Sequence, residues 1–284
     1  MGRSASGELA GVVSAISAAV LWGTIGVVQR LAEEGGAETE MLIVGRTLGA
    51  SLLSVPLLLY YRAVPTWRSV VIAVAALSPL YYSYMKAVSI IGAAISSLLL
   101  YTAPAWVAAA SYLILGERPG VRGVAAVLMG VVGAALVSGA LTGLGGIEVV
   151  GVMLGLASGA TYALYIFLAR YFQVKGATVL EVSLAPIAIS GVILAALIGP
   201  SRPPNGVEVA ASVYMALFTM ILPYLLNVTA LRYIEAHRVS VISLVEPLTA
   251  VVLAVLILGE SLTIPQAVGG LMILSASLLV VRGK

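Results

Sequence analysis

The 284-residue chain is 61% hydrophobic and only 10% charged, with a mean hydropathy of +1.11. So little charge excludes a soluble domain, and apolar stretches of about 20 residues recur along the whole length, as in a polytopic helical membrane protein. The net charge of +3 makes no nucleic-acid patch, and a chain with no cysteine, no aspartate and one histidine offers neither disulfide nor metal cluster, so no cofactor is expected.

Hydropathy predicts ten spans. They are Leu9–Gln29, Met41–Tyr61, Val70–Ile90, Ala93–Leu115 and Val121–Leu141, then Val149–Ala169, Val179–Ile198, Val209–Leu231, Val239–Leu258 and Ile264–Val281. Alternating segments of about ten residues, the mark of a membrane barrel, are absent. The first span is too long for the apolar core of a signal peptide and is expected to stay as a structural helix. With the N-terminus inside, Arg3, Arg62, Arg68, Arg118, Arg122, Arg170, Lys175, Arg232, Arg238, Arg282 and Lys284 fall on the inner side. Only Arg30, Lys86 and Arg202 fall outside, with Arg46 inside a span, so both termini are expected in the cytoplasm.

The stretch Ile91–Pro119 returns at Ile234. Ile91 and Ile234, Pro104 and Pro247, Gly116 and Gly259, and Glu117 and Glu260 are each 143 residues apart. Gly11, Trp22 and Arg30 match Gly151, Tyr162 and Arg170 at an offset of 140. The fold expected is therefore all-α, with ten transmembrane helices as two five-helix repeats, 1–145 and 146–284. Five is odd, so the second repeat runs inverted, as in many secondary transporters.

These residues resemble the EamA branch of the drug/metabolite transporter superfamily. The resemblance rests on the two similar halves, on Glu246-Pro247 through Leu258-Gly259-Glu260 to Gln266 and Gly269, and on Arg46 in the second span. The first half has Pro104, Leu115-Gly116-Glu117 and Gly123, but Ala103 where the second has Glu246. The resemblance implies export or exchange through a central cavity built from both halves. It says little about substrate.

Candidate site residues follow from the cost of polar groups in apolar spans. Pro104 and Pro247 each remove a backbone donor, so each either opens a cavity lined by free carbonyls or makes a packing kink. Glu246, about two turns into the ninth span, is a candidate to bind a cationic substrate group or carry a proton, or else a structural acceptor. Lys86 either attracts an anionic substrate group or snorkels to the outer interface. Arg46 reads as a partner for a carboxylate or helix-end carbonyls, Arg232 and Arg238 as topology determinants, and His237 as a loop residue. Glu117 and Glu260 read as helix caps. Tyr81, Tyr84, Tyr101 and Tyr224 supply hydroxyls within spans. Asn227 is the most telling polar group, because a buried carboxamide needs partners from another helix or from substrate. Gly151, Gly155 and Gly159 have the spacing of close helix packing, within a monomer or across a homodimer.

No nucleotide-binding loop or nucleophile triad is present, so neither an enzyme nor a primary pump is expected. The reading is a secondary transporter in the cytoplasmic membrane. It exports a small metabolite such as an amino acid by alternating access, with coupling to protons or exchange left open. The alternatives are a sugar-phosphate or drug carrier of the same fold, or a channel or scaffold.

Overall fold

The computed structural model describes residues 5–91, 96, 99–116, 120–137, 149–200, 202–259 and 263–282. No strand occurs among the described residues. Helices are what a bilayer demands of an open chain, since every backbone polar group must be satisfied within its own segment.

In the first half α1 (Ala5–Gly23) and α2 (Ile25–Glu34) form one rod interrupted at Thr24, followed by α3 (Thr39–Tyr60). Next, α4 (Trp67–Ile72) runs through a π-helical segment, Ala73–Leu77, into α5 (Ser78–Ile91). The short α6 (Ala103–Ala110) continues as a second π segment, Ser111–Leu115, and α7 (Gly120–Val137) follows. The second half holds α8 (Val149–Val174), α9 (Val179–Val182) and α10 (Leu184–Ile198). After these, α11 (Gly206–Met215) passes through a third π segment, Ala216–Ile221, into α12 (Leu222–Tyr233), and α13 (Ala236–Ile242), α14 (Val245–Leu258) and α15 (Ile264–Arg282) complete the chain.

Six described rods are long and apolar enough to cross a membrane: Gly7–Glu34, Glu40–Tyr60, Val149–Val174, Val179–Ile198, Gly206–Tyr233 and Ala236–Ile257. Shorter apolar helices are Ala103–Ile114, Gly120–Leu136 and Ala267–Ala276. The protein is a multi-pass membrane protein. Helix boundaries carry their own sequence signals. The side chains of Thr178 and Asn205 accept from the backbone N–H groups of Glu181 and Glu208, while those carboxylates reach back to the N–H of Thr178 and Asn205. Gly116 and Gly259 both adopt left-handed φ, 67° and 69°, where a Cβ would be strained. The Glu117 and Glu260 that follow lie outside the described residues.

Packing joins the two halves rather than separating them. The most extensive helix contacts pair α7 with α15, α3 with α10, α5 with α8 and α1 with α12, each joining one helix from either half. One large core draws on both, with Trp22, Leu77 and Tyr81 beside Tyr165, Leu184, Met220 and Ile242. The outer surface is apolar too, with Leu59, Leu113, Val121 and Ile264 all more than 70% exposed. Lipid faces these side chains, so burying them adds nothing to folding, and the interior can be the more polar side.

Local backbone approach sets the packing distances. A Cβ on Gly159 would meet Thr102 Oγ1 at 2.8 Å, and one on Gly155 would meet Leu99. These two glycines of the spaced series therefore pack within the chain.

Candidate functional site

The centre of the bundle is an aromatic cluster. The hydroxyls of Tyr81 on α5 and Tyr224 on α12 are hydrogen-bonded at 2.7 Å. Trp22 packs edge-on against Tyr224, with ring centroids 5.4 Å apart, and against Tyr162 at 6.2 Å. Tyr165 lies 5.2 Å from the Tyr224 ring on its other flank. Edge-to-face pairs of this kind add roughly 0.5–1.5 kcal/mol each beyond their burial and fix ring orientation.

Sequence explains why the cluster forms here. Pro223 has no N–H to give the carbonyl one turn back, that of Thr219. The Trp22 indole supplies the missing donor, with Nε1 donating to Thr219 O at 3.0 Å. Thr219 sits in the π segment Ala216–Ile221, and Pro79 similarly follows the π segment Ala73–Leu77. Single turns of π-helix often mark functional sites, because they re-aim side chains at the cost of backbone bonds.

Charge enters the cluster from two elements. Arg46 on α3 is half-buried, and its guanidinium acts electrostatically on Tyr81, Tyr224 and Glu246. Glu246, also half-buried, acts in turn on Tyr101, Tyr162 and Tyr224. Tyr84 is half-buried and acts on Tyr101. One acid and one base thus share a tyrosine-lined interior with no ion pair between them among the described salt bridges.

Glu246 was expected two turns inside a continuous helix. Instead the ninth span breaks at Ser243-Leu244, and Glu246 lies in the first turn of α14, where a helix N-terminus favours a carboxylate. The fourth span breaks at Tyr101-Thr102, just before Pro104 in the first turn of α6. Pro104 and Pro247 are both buried. The two breaks come together in one small core cluster, to which Tyr101 and Leu244 contribute with Ala134 and Ile273. Gly23 approaches the same region, where a Cβ would meet the Glu246 carbonyl oxygen at 2.9 Å.

Asn227, one turn beyond Tyr224, is fully buried, and neither its Nδ2 nor its Oδ1 has a hydrogen-bond partner among the described residues. The Tyr165 hydroxyl is likewise buried and unpartnered. An amide left so costs about 1–3 kcal/mol.

The remaining candidates lie elsewhere. Lys86 is exposed on α5. His237 is no loop residue. It is helical in α13 and buried, as is Arg238, which bridges Glu8 at 2.7 Å and Glu235 at 3.4 Å. The acid from α1 explains the change, because it accompanies Arg238 into the interior. Trp22, Tyr162 and Tyr165 were legible only as polar aromatics within spans. Their grouping needed the fold.

The EamA-like transporter family profile matches the chain twice, over residues 9–139 and 149–282. The chain belongs to the EamA-like transporter family. This EamA-like protein is 27% identical to the "Uncharacterized transporter YwfM" of Bacillus subtilis, covering 93% of its own length and 90% of the relative's. It is 27% identical to the "Uncharacterized inner membrane transporter YicL" of Salmonella typhimurium, at 95% and 94% coverage. An "Uncharacterized transporter" of Archaeoglobus fulgidus is 28% identical over 70% of this chain and 71% of its own. A solved crystal structure 21% identical in sequence shares the fold, with a TM-score of 0.82 over 99% of both chains. Membership makes the EamA-like protein a transporter rather than an enzyme, with a small-molecule substrate taken up within the bilayer.

Proposed function

We propose that this EamA-like protein is a secondary transporter of small zwitterionic metabolites, amino acids above all, working outward across the cytoplasmic membrane by alternating access. Residues 1–145 and 146–284 form two inverted five-helix repeats, ten spans in all, with both termini in the cytoplasm. Helix pairing supports this reading. If the first and sixth spans exchange roles, and the third and eighth do likewise, the contact of α1 with α12 becomes that of α8 with α5. The contacts of α3 with α10 and α7 with α15 map onto themselves.

The observation that carries the substrate class is the enclosure of Arg46 and Glu246 in one tyrosine-lined interior. A zwitterion addresses both, its carboxylate toward Arg46 and its ammonium toward Glu246. The unpartnered amide of Asn227 and the Tyr165 hydroxyl supply hydrogen bonds to a polar ligand. A single arginine is a poor match for a phosphate dianion, which favours two or more bidentate cations. Tyr81, Tyr84, Tyr101 and Tyr224 line the path, and Pro104 and Pro247 hold the broken helices on which access alternates. Glu246 is the group that would carry a coupled proton.

The test is a thermal-stability screen of the purified protein against amino acids, sugar phosphates, nucleosides and organic cations. A ligand that binds only the folded state raises the midpoint by mass action. Saturable stabilisation by zwitterions, lost in Arg46→Gln and in Glu246→Gln, is the expected result. Stabilisation by phosphate esters or cations alone would refute the zwitterion assignment.

A further inference from the structure

A cavity of about 590 Å³ lies apart from the central cluster, where α8, the loop after it, α9 and the last turn of α12 meet. Its size is in the range of small-molecule sites. Arg170, Gln173, Thr178 and Arg232 contribute its polar lining, and no acid is among the lining residues. Glu181, in α9 beside the lining residues Val179 and Leu180, is occupied by the Thr178 N–H at 2.9 Å and by the charge of Arg68.

The wall is built, not incidental. Arg170, 8% exposed, donates through Nη1 to Leu231 O at 2.6 Å, and Gln173 donates through Nε2 to Val228 O at 2.9 Å. These bonds hold both side chains across the end of α12. Gln173 Oε1 is left buried with no hydrogen-bond partner among the described residues, and Arg232 is exposed at the rim.

The cavity sits at the level of an interfacial belt. Trp67, 65% exposed, packs on Phe172 at 5.3 Å and carries Arg68 over its ring at 5.8 Å. Lys175 lies over Tyr171 at 5.7 Å. Exposed aromatics beside cations mark headgroup depth in a membrane protein.

The geometry points to a phosphate-ester site in this cavity, unrelated to the transported substrate, whose occupant is an anionic lipid headgroup. Guanidinium forks suit phosphate oxygens, and basic pockets between helix ends take anionic headgroups. Gln173 Oε1 is free to accept a hydrogen bond from a hydroxyl on the headgroup, which selects headgroups such as glycerol. A soluble phosphate ester has the same chemistry, and the experiment separates the two sources.

The full chain in phosphatidylcholine nanodiscs is titrated with phosphatidylglycerol, and separately with soluble glycerol phosphate, following the melting midpoint and the lipid retained in native mass spectrometry. Phosphatidylglycerol is expected to bind saturably, and Arg232→Gln to weaken it about fivefold or more while Arg122→Gln, exposed but outside the cavity, leaves it unchanged. Gln173→Leu should weaken phosphatidylglycerol but not phosphatidic acid, which lacks the hydroxyl. Saturation by glycerol phosphate alone, lost in Arg232→Gln, would keep the phosphate site and overturn the lipid as its occupant. Equal weakening by Arg232→Gln and Arg122→Gln, or no response to either compound, would overturn the site itself.

Discussion

Tyr81 and Tyr224 stand 143 residues apart, the separation that also relates Pro104 to Pro247, and their hydroxyls are hydrogen-bonded to each other at 2.7 Å. Two residues at matching places in the two halves thus meet in the middle of the bundle. Each follows a π segment, Ala73–Leu77 or Ala216–Ile221, whose starting residues are again 143 apart. Leu244 and Tyr101, again 143 apart, lie in one core cluster at the broken helices. A contact between matching residues is what an axis relating the halves would require.

The Tyr81–Tyr224 bond is a coupled pair. Tyr81→Phe and Tyr224→Phe should each cost about 0.5–1.5 kcal/mol. The double variant should cost no more than the larger single one, because the second substitution removes a group already without its partner. Additive losses in a double-mutant cycle of melting stability would contradict the pairing.

Trp22 has a backbone task as well as an aromatic one. Trp22→Phe keeps most of the ring packing but leaves Thr219 O without its donor, a cost of about 1–3 kcal/mol. Combining it with Pro223→Ala restores an N–H one turn later, so the double variant should recover part of the loss. No recovery would mean that Trp22 acts through packing alone.

Asn227 should behave unlike other buried residues. Because its amide has no protein partner, Asn227→Leu removes an unsatisfied group and should change stability by less than about 0.5 kcal/mol, or raise it. Transport should fall at least tenfold. A strongly destabilised Asn227→Leu with normal transport per folded molecule would place the amide's role in folding.

Gly159 is a close-approach position and Gly26 is not. Gly159→Val should cost about 1–3 kcal/mol by forcing α8 from Thr102, whereas Gly26→Ala, with open space around it, should be neutral or stabilising. Melting of the two variants in detergent checks the contrast.

Much of the fold was legible because hydropathy and lipid act on the same property. The span expected at Val179–Ile198 matches a rod with the same ends, and the last helix runs over Ile264–Arg282 against an expected Ile264–Val281. What hydropathy misses is the backbone. The breaks at Tyr101-Thr102 and Ser243-Leu244 lie inside stretches apolar enough to read as single spans, so Glu246 read as mid-helix when it opens a new one. Contacts between halves were hidden for another reason. Arg238 has one acid nearby in sequence, Glu235, but its shorter ion pair is with Glu8, 230 residues away, which no local pattern announces. Arg46 read from sequence as a partner for a carboxylate or helix-end carbonyls, and the tyrosines and Glu246 on which its charge acts come from other helices that sequence does not connect to it.

The central claim is that Arg46 and Glu246 hold the two ends of one zwitterionic substrate. Counterflow in proteoliposomes tests it most directly, with vesicles loaded with unlabelled amino acids and uptake of the labelled form measured for wild type, Arg46→Gln and Glu246→Gln. Saturable uptake stimulated by the internal substrate, reduced more than tenfold in either variant while folding is retained, is the predicted result. Non-saturating flux, or uptake unchanged in both variants, would contradict it.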